Sequence, residues 1–77
     1  MSKFSYFLNL KSIPCPLNLV KCKLALEKLR LNHILTIELD KGEPELMVKK
    51  FLMEKGYKFQ ILKEENDWIR LEITNER

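Results

Sequence analysis

Histidine occurs once, cysteine and glycine twice each, and proline three times in 77 residues, and each scarcity removes a class of function. Gly42 and Gly56 stand far apart, so no glycine-rich loop cradles a phosphate. Two cysteines and His33 fall short of the four ligands of a structural zinc site, and their spacing fits no metal-binding pattern. Cys15 and Cys22 do not amount to a disulfide framework, which points to a reducing, cytoplasmic setting. No apolar run approaches the ~20 residues of a membrane span. Ser5, Asn9 and Lys11 interrupt the N-terminal stretch, so no signal peptide and no membrane partner are expected. The carboxylates are scattered, with no paired acid–base site, and nothing calls for a cofactor or a resident metal. His33 reads as a polar turn residue.

What remains is the make-up of one globular domain over residues 1–77, 45 % hydrophobic and 32 % charged. A chain this short buries only roughly 60 % of the surface its unfolded form exposes. That suits two layers around one core and leaves no room for a deep enclosed site. The net charge of +3 is uneven: residues 1–33 carry six basic side chains against Glu27, and residues 34–77 carry an acidic excess. The basic half contains both cysteines, and it is read either as solvated helix surface or as the face that meets a negatively charged partner.

Periodicity divides the chain. Phe4, Tyr6, Leu8 and Leu10 alternate with Ser5, Phe7 and Asn9 as a first strand. From Pro16 the period lengthens, and Leu19, Cys22, Leu26 and Leu29 form the buried stripe of a helix. A second apolar strip, Leu17, Val20, Leu24 and Leu31, is expected against a neighbouring helix or a partner, and Asn32-His33 ends the helix. Leu35, Ile37 and Leu39 mark a second strand, and Asp40-Lys41-Gly42 turns the chain. Pro44 opens a second helix at its first position, with Val48, Phe51 and Leu52 inward and Gly56 as a left-handed terminator. Tyr57, Phe59 and Ile61 give a third strand, Glu64-Glu65-Asn66-Asp67 a turn, and Ile69, Leu71 and Ile73 a fourth. One set of strand positions, including Ile61, is uniformly apolar. The opposite set, with Thr36, Glu38, Lys58, Gln60, Arg70 and Glu72, is polar and expected to meet water. The fold class that follows is α+β: a two-layer sandwich in the order β-α-β-α-β-β, with a four-stranded mixed sheet and both helices on one face.

Cys15 directly precedes Pro16, where the first helix should start. Proline suits the first helical position, which makes Cys15 the expected N-cap. A sulfur there meets unpaired N–H groups and the positive end of the helix, both of which favour thiolate, and Lys11 or Lys21 would act the same way. A small capping residue without chemistry is the alternative. Cys22, in the stripe between Leu19 and Leu26, behaves as a small hydrophobe. Seven residues of helix separate the two cysteines by roughly 10 Å, beyond the ~7 Å that a disulfide spans, so Cys15 works alone or with a partner's cysteine.

The stretch Leu8-Asn9-Leu10-Lys11-Ser12-Ile13-Pro14-Cys15-Pro16-Leu17-Asn18-Leu19-Val20-Lys21, with the Gly42-Glu43-Pro44 turn further on, resembles the TusA/SirA-like sulfur-carrier family. That family carries an aspartate in the first strand, an Arg-Gly pair, and Cys-Pro-x-Pro opening a helix. The resemblance covers essentially the whole chain, and its specific element is the Cys15-Pro16 dipeptide. It implies a small cytoplasmic sulfurtransferase-like carrier on which Cys15 accepts sulfane sulfur as a persulfide. The implied partners are a cysteine desulfurase or other sulfane-sulfur donor and a downstream acceptor protein, with an indirect link to tRNA thiolation. The sequence departs from the motif at three points. Asn18 replaces the second proline, Lys11-Ser12 replaces Arg-Gly, and Asn9 replaces the strand aspartate. Asn18 restores a donor at the helix end, and Lys11 keeps a positive charge. The competing expectation is a non-catalytic module that docks an acidic partner or RNA through Lys21, Lys23 and Lys28 of the basic first helix.

Overall fold

The computed structural model describes residues 5–14, 16–30 and 33–75. The elements run β1 (Ser5–Asn9), α1 (Leu17–Lys28), β2 (Ile34–Asp40), α2 (Glu43–Lys55), β3 (Lys58–Glu64) and β4 (Trp68–Thr74). This is the order read from the sequence. Cys15, Phe4, Leu31 and Asn32, to which the sequence assigns roles, lie outside the described residues. The strands form one mixed sheet in the order β1-β2-β4-β3. β1 pairs with β2 in parallel, and β4 runs antiparallel to both β2 and β3. The crossover through α1 therefore joins adjacent strands, whereas the one through α2 straddles β4.

Both helices cover one face, because that face alone is apolar along every strand. Leu35, Ile37 and Leu39 of β2 and Ile69, Leu71 and Ile73 of β4 are buried against Cys22 and Leu26 of α1 and Val48 and Leu52 of α2. The sheet's two central strands supply the inner layer. Each fully buried leucine or isoleucine contributes about 1.5–3 kcal/mol relative to exposure. Gly42 (φ 94°) leads into α2 and Gly56 (φ 80°) closes it in the left-handed region, which a side chain would strain. Pro44 occupies the second helical position rather than the first, since Glu43 already lies in the helix. The far end of α1 is held from across the fold, where the Asn75 amide donates to the Leu29 carbonyl at 3.0 Å.

One apolar expectation is overturned and another is narrowed. Ile61 is 48 % exposed, because β3 is an edge strand and the pairing slips between Ile61 and Lys63, leaving Leu62 as an extra residue. On α1, Leu17, Val20 and Leu24 are exposed, so no helix of this chain covers them and of the two expectations only a partner is left. α2 packs on the opposite flank, where the Lys23 ammonium lies 5.6 Å from the centre of the Phe51 ring.

The sheet face without helices is not uniformly wet either. Glu38, expected in water, is 6 % exposed. It accepts hydrogen bonds from Arg70 Nε (2.9 Å) and Nη2 (2.6 Å), and Lys11 Nζ lies 3.1 Å from its other oxygen. The Trp68 ring screens the group, with Lys11 at 4.4 Å, Arg70 at 5.5 Å and Lys63 at 5.8 Å from its centre. A carboxylate so covered is tolerated because its charge is paired and hydrogen-bonded. The Arg70 hydrogen bond, assisted by Lys11 and opposed by burial, holds Glu38 below its ordinary value of 4.5. Its stabilising contribution is thus complete above the unfolded-state value and is lost as pH falls through the lower folded-state value. Glu38→Gln is expected to lower stability by about 1 kcal/mol at neutral pH. In urea denaturation series, the gap from the parent protein narrows as pH falls below 4.5; a gap that stays constant contradicts the account.

Candidate functional site

The segment from Leu10 to Pro16 leaves the carboxyl end of β1, where open α/β sheets commonly place their ligands. Every backbone N–H from Leu10 to Ile13 is engaged. Leu10 donates to the Glu38 carbonyl at 2.8 Å, which extends the β1–β2 ladder by one step, and Ile13 donates back to the Leu10 carbonyl at 3.3 Å. Lys11 N–H donates to Asn9 Oδ1 at 3.0 Å, and Ser12 N–H donates to the Asp40 carboxylate at 2.8 Å. Beyond, Asn18 N–H donates to the Pro14 carbonyl at 3.1 Å. The residues on either side of Cys15 are thereby tied to β1, to β2 and to the first turn of α1.

The cap differs from the sequence expectation by one residue. Pro16 is the N-cap of α1 and Leu17 its first helical residue, so Cys15 precedes the cap instead of forming it. The first-turn donors are also less available than a bare helix end would offer. Asn18 N–H is taken by Pro14, Leu19 N–H by the Asn18 side-chain oxygen at 2.7 Å, and Val20 N–H by the Pro16 carbonyl at 3.0 Å. What Asn18 adds is its side chain. The residue is 1 % exposed, and its Nδ2 has no hydrogen-bond partner among the described residues. A buried amide left in that state costs about 1–3 kcal/mol. Sequence reasoning noted the asparagine but missed its burial. Its place one turn before Cys22 on the inward stripe was the available signal.

The basic side chains separate. Lys11 commits its charge to Glu38 and Trp68 on the helix-free face. Lys21 and Lys28 line a groove between α1 and β1, and Lys23 lies on the other flank of α1 beside Phe51. Cys22 is fully buried and unbridged, and burial pushes its thiol up to about 12, so it has no nucleophilic thiolate at neutral pH. No group of side chains able to hold a metal ion occurs among the described residues.

Ser12 carries the clearest local strain: at φ 66° it is the one non-glycine residue with positive φ among those described. A side chain there costs about 1–2 kcal/mol, and the Asp40 hydrogen bond holds the conformation in place. Ser12→Gly is expected to stabilise the protein by about 0.5–1 kcal/mol, net of glycine's greater freedom when unfolded. Thermal unfolding reads this as a rise of a few degrees, whereas an unchanged or lower midpoint contradicts a strained turn.

Three comparisons bear on this site. Residues 6–75 match the family model described as Sulfurtransferase TusA. Among solved structures, the SirA-like protein of Desulfitobacterium hafniense superposes with a TM-score of 0.78 at 20 % identity, covering 94 % of this chain and 99 % of its own. A search of curated proteins finds no match. The structural likeness extends over β1 to β4 and gives the fold, and the sequence match spans the Lys11–Val20 segment as well as the sheet. On that match the chain belongs to the TusA sulfurtransferase family.

Proposed function

We propose that this protein is a cytoplasmic sulfur carrier that accepts sulfane sulfur as a persulfide on Cys15 and relays it to an acceptor protein, as in tRNA thiolation or related sulfur trafficking. The observation that carries the reading is the start of α1 immediately after the Cys15-Pro16 pair, within a chain of the TusA family. The positive end of α1 favours an anion close by, and in the first turn of α1 the buried Asn18 side chain has an Nδ2 without a hydrogen-bond partner among the described residues. Pro16 fixes the chain where the helix begins, and Lys21 in the second turn adds positive charge.

The chemistry needs no cofactor. The Cys15 thiolate attacks the outer sulfur of a donor persulfide, such as that of a cysteine desulfurase. A new S–S bond forms on Cys15, the donor's S–S bond breaks, and the donor cysteine leaves as a thiolate. An acceptor thiolate then attacks the outer sulfur on Cys15, and the Cys15 thiolate is regenerated. Sulfane sulfur moves between thiols with no net oxidation of this chain.

A second reading, a non-catalytic docking module, is favoured by Lys21 and Lys28 beside exposed Tyr6 and Phe7. The two readings separate by intact mass after incubation with a cysteine desulfurase and cysteine. The carrier gains the mass of one sulfur atom, loses that gain in Cys15→Ser, and keeps it in Cys22→Ala. Alanine is the better control at the buried position, since serine there would leave a hydroxyl without water. No gain at Cys15 from any sulfane donor rejects the carrier and leaves the docking module.

A further inference from the structure

We infer that the outer edge of β1 is a docking site for an extended acidic segment of a partner protein, which adds to the sheet as a fifth strand. β1 is terminal in the order β1-β2-β4-β3 and, among the described residues, pairs with β2 alone. The pattern of its free groups follows from one contact. Leu10 N–H reaches across to the Glu38 carbonyl of β2, so Tyr6 and Leu8 face β2 as well, and the N–H and C=O groups of Ser5, Phe7 and Asn9 point outward.

The two sheet edges are built differently. β3 carries Lys58, Lys63 and Glu64 together with the slip at Leu62, the means by which natural edge strands resist pairing. β1 has no charge, no proline and no bulge, and two of its five residues are large exposed aromatics, Tyr6 at 49 % and Phe7 at 59 %. An undefended edge of this kind is where another strand can add.

Grooves flank β1 on both faces of the sheet, as an added strand requires, because its side chains alternate between faces. On the helix side a cavity of about 500 Å³ lies between β1 and α1, with half-exposed Leu24 in its wall and Lys21 and Lys28 along it. On the other side a groove of about 370 Å³ runs past Phe7, Thr36, Leu62 and Arg70. The charged groups among the described lining residues are Lys21 and Lys28 on the helix side and the Glu38-paired Arg70 on the other, and with the apolar side chains around them they select a segment that alternates apolar and acidic side chains. A second copy of this chain is a poor fit, since antiparallel β1–β1 pairing brings the same lysines together. RNA would meet the lysines yet leave the outward N–H groups of β1 unused. The inference is independent of the Cys15 chemistry.

The test uses a short N-acetylated peptide alternating Ile and Glu, with amide hydrogen exchange followed by NMR. Bound peptide is expected to slow exchange at Phe7 and Asn9 by roughly tenfold or more, with Tyr6 and Leu8, already facing β2, unaffected. Lys21→Gln combined with Lys28→Gln abolishes that protection at the same peptide concentration. Phe7→Pro does the same while leaving the β2 ladder intact, because the N–H it removes points outward. Cys15→Ala binds as the parent does. The inference is overturned if Phe7 and Asn9 stay unprotected, or if the matching Ile/Lys peptide protects them equally. It is also overturned if oligouridylate, not the peptide, binds through the lysines, or if Phe7 and Asn9 are protected without peptide in a species that sediments as a dimer.

Discussion

Two helices have only enough apolar surface to cover one face of a four-stranded sheet, and the other features of this fold answer to that limit. The covered face is filled by aliphatic side chains of β2 and β4 against Cys22, Leu26, Val48 and Leu52. The uncovered face cannot be left to aliphatic residues, and it is closed over its centre by a polar device. Glu38 is pinned between Arg70 and Lys11, with Trp68 beside them. The same device sets the course of the chain after β1. Lys11 belongs to the segment leading to Cys15, so the charge balance of the open face and the anchoring of that segment share one side chain.

The anchoring of residues 10–14 bears on how so small a protein could hold Cys15 in the role proposed for it. Hydrogen bonds to Asn9, Asp40, Glu38 and Leu10 fix the chain on one side of Cys15, and the first turn of α1 fixes it on the other. Proximity here comes from backbone tethering rather than enclosure. Cys22 in α1 is enclosed by apolar neighbours, and its thiol is chemically quiet.

Much of this was legible in the sequence. The change from a period of two to one near four at Pro16 and the return to two at Leu35 place β1, α1 and β2, and Pro44, Gly56 and the Glu64-Glu65-Asn66-Asp67 turn place α2, β3 and β4. The apolar alternation of β2 and β4 gives the buried face. What stayed hidden depends on tertiary partners that local pattern does not encode. Glu38 alternates as a solvent position, and only the arrival of Arg70 from β4 and Lys11 from the loop buries it. Ile61 alternates as a core position, yet the extra residue Leu62 and the lack of a further strand expose it. The cap fell one residue late because the proline rule leaves Pro16 a choice between the cap and the first helical position. Nothing local decides between them. Asn18 was noticed for its chemistry, while its burial follows from the helix orientation.

β4 has a consequence for the order in which the molecule can assemble. It lies between β2 and β3, yet the ribosome makes it after both. Until Trp68–Thr74 has emerged, β2 lacks a neighbour on that side and β3 has no strand to join, so a nascent chain holds at most the β1-α1-β2 unit with an open flank. Closure of the sheet is therefore one late event joining distant parts of the chain, which favours a single cooperative transition over stepwise growth. A break in translation before Trp68 would leave apolar β2 and α2 surfaces exposed together, a target for the chaperones and proteases that survey unfinished chains.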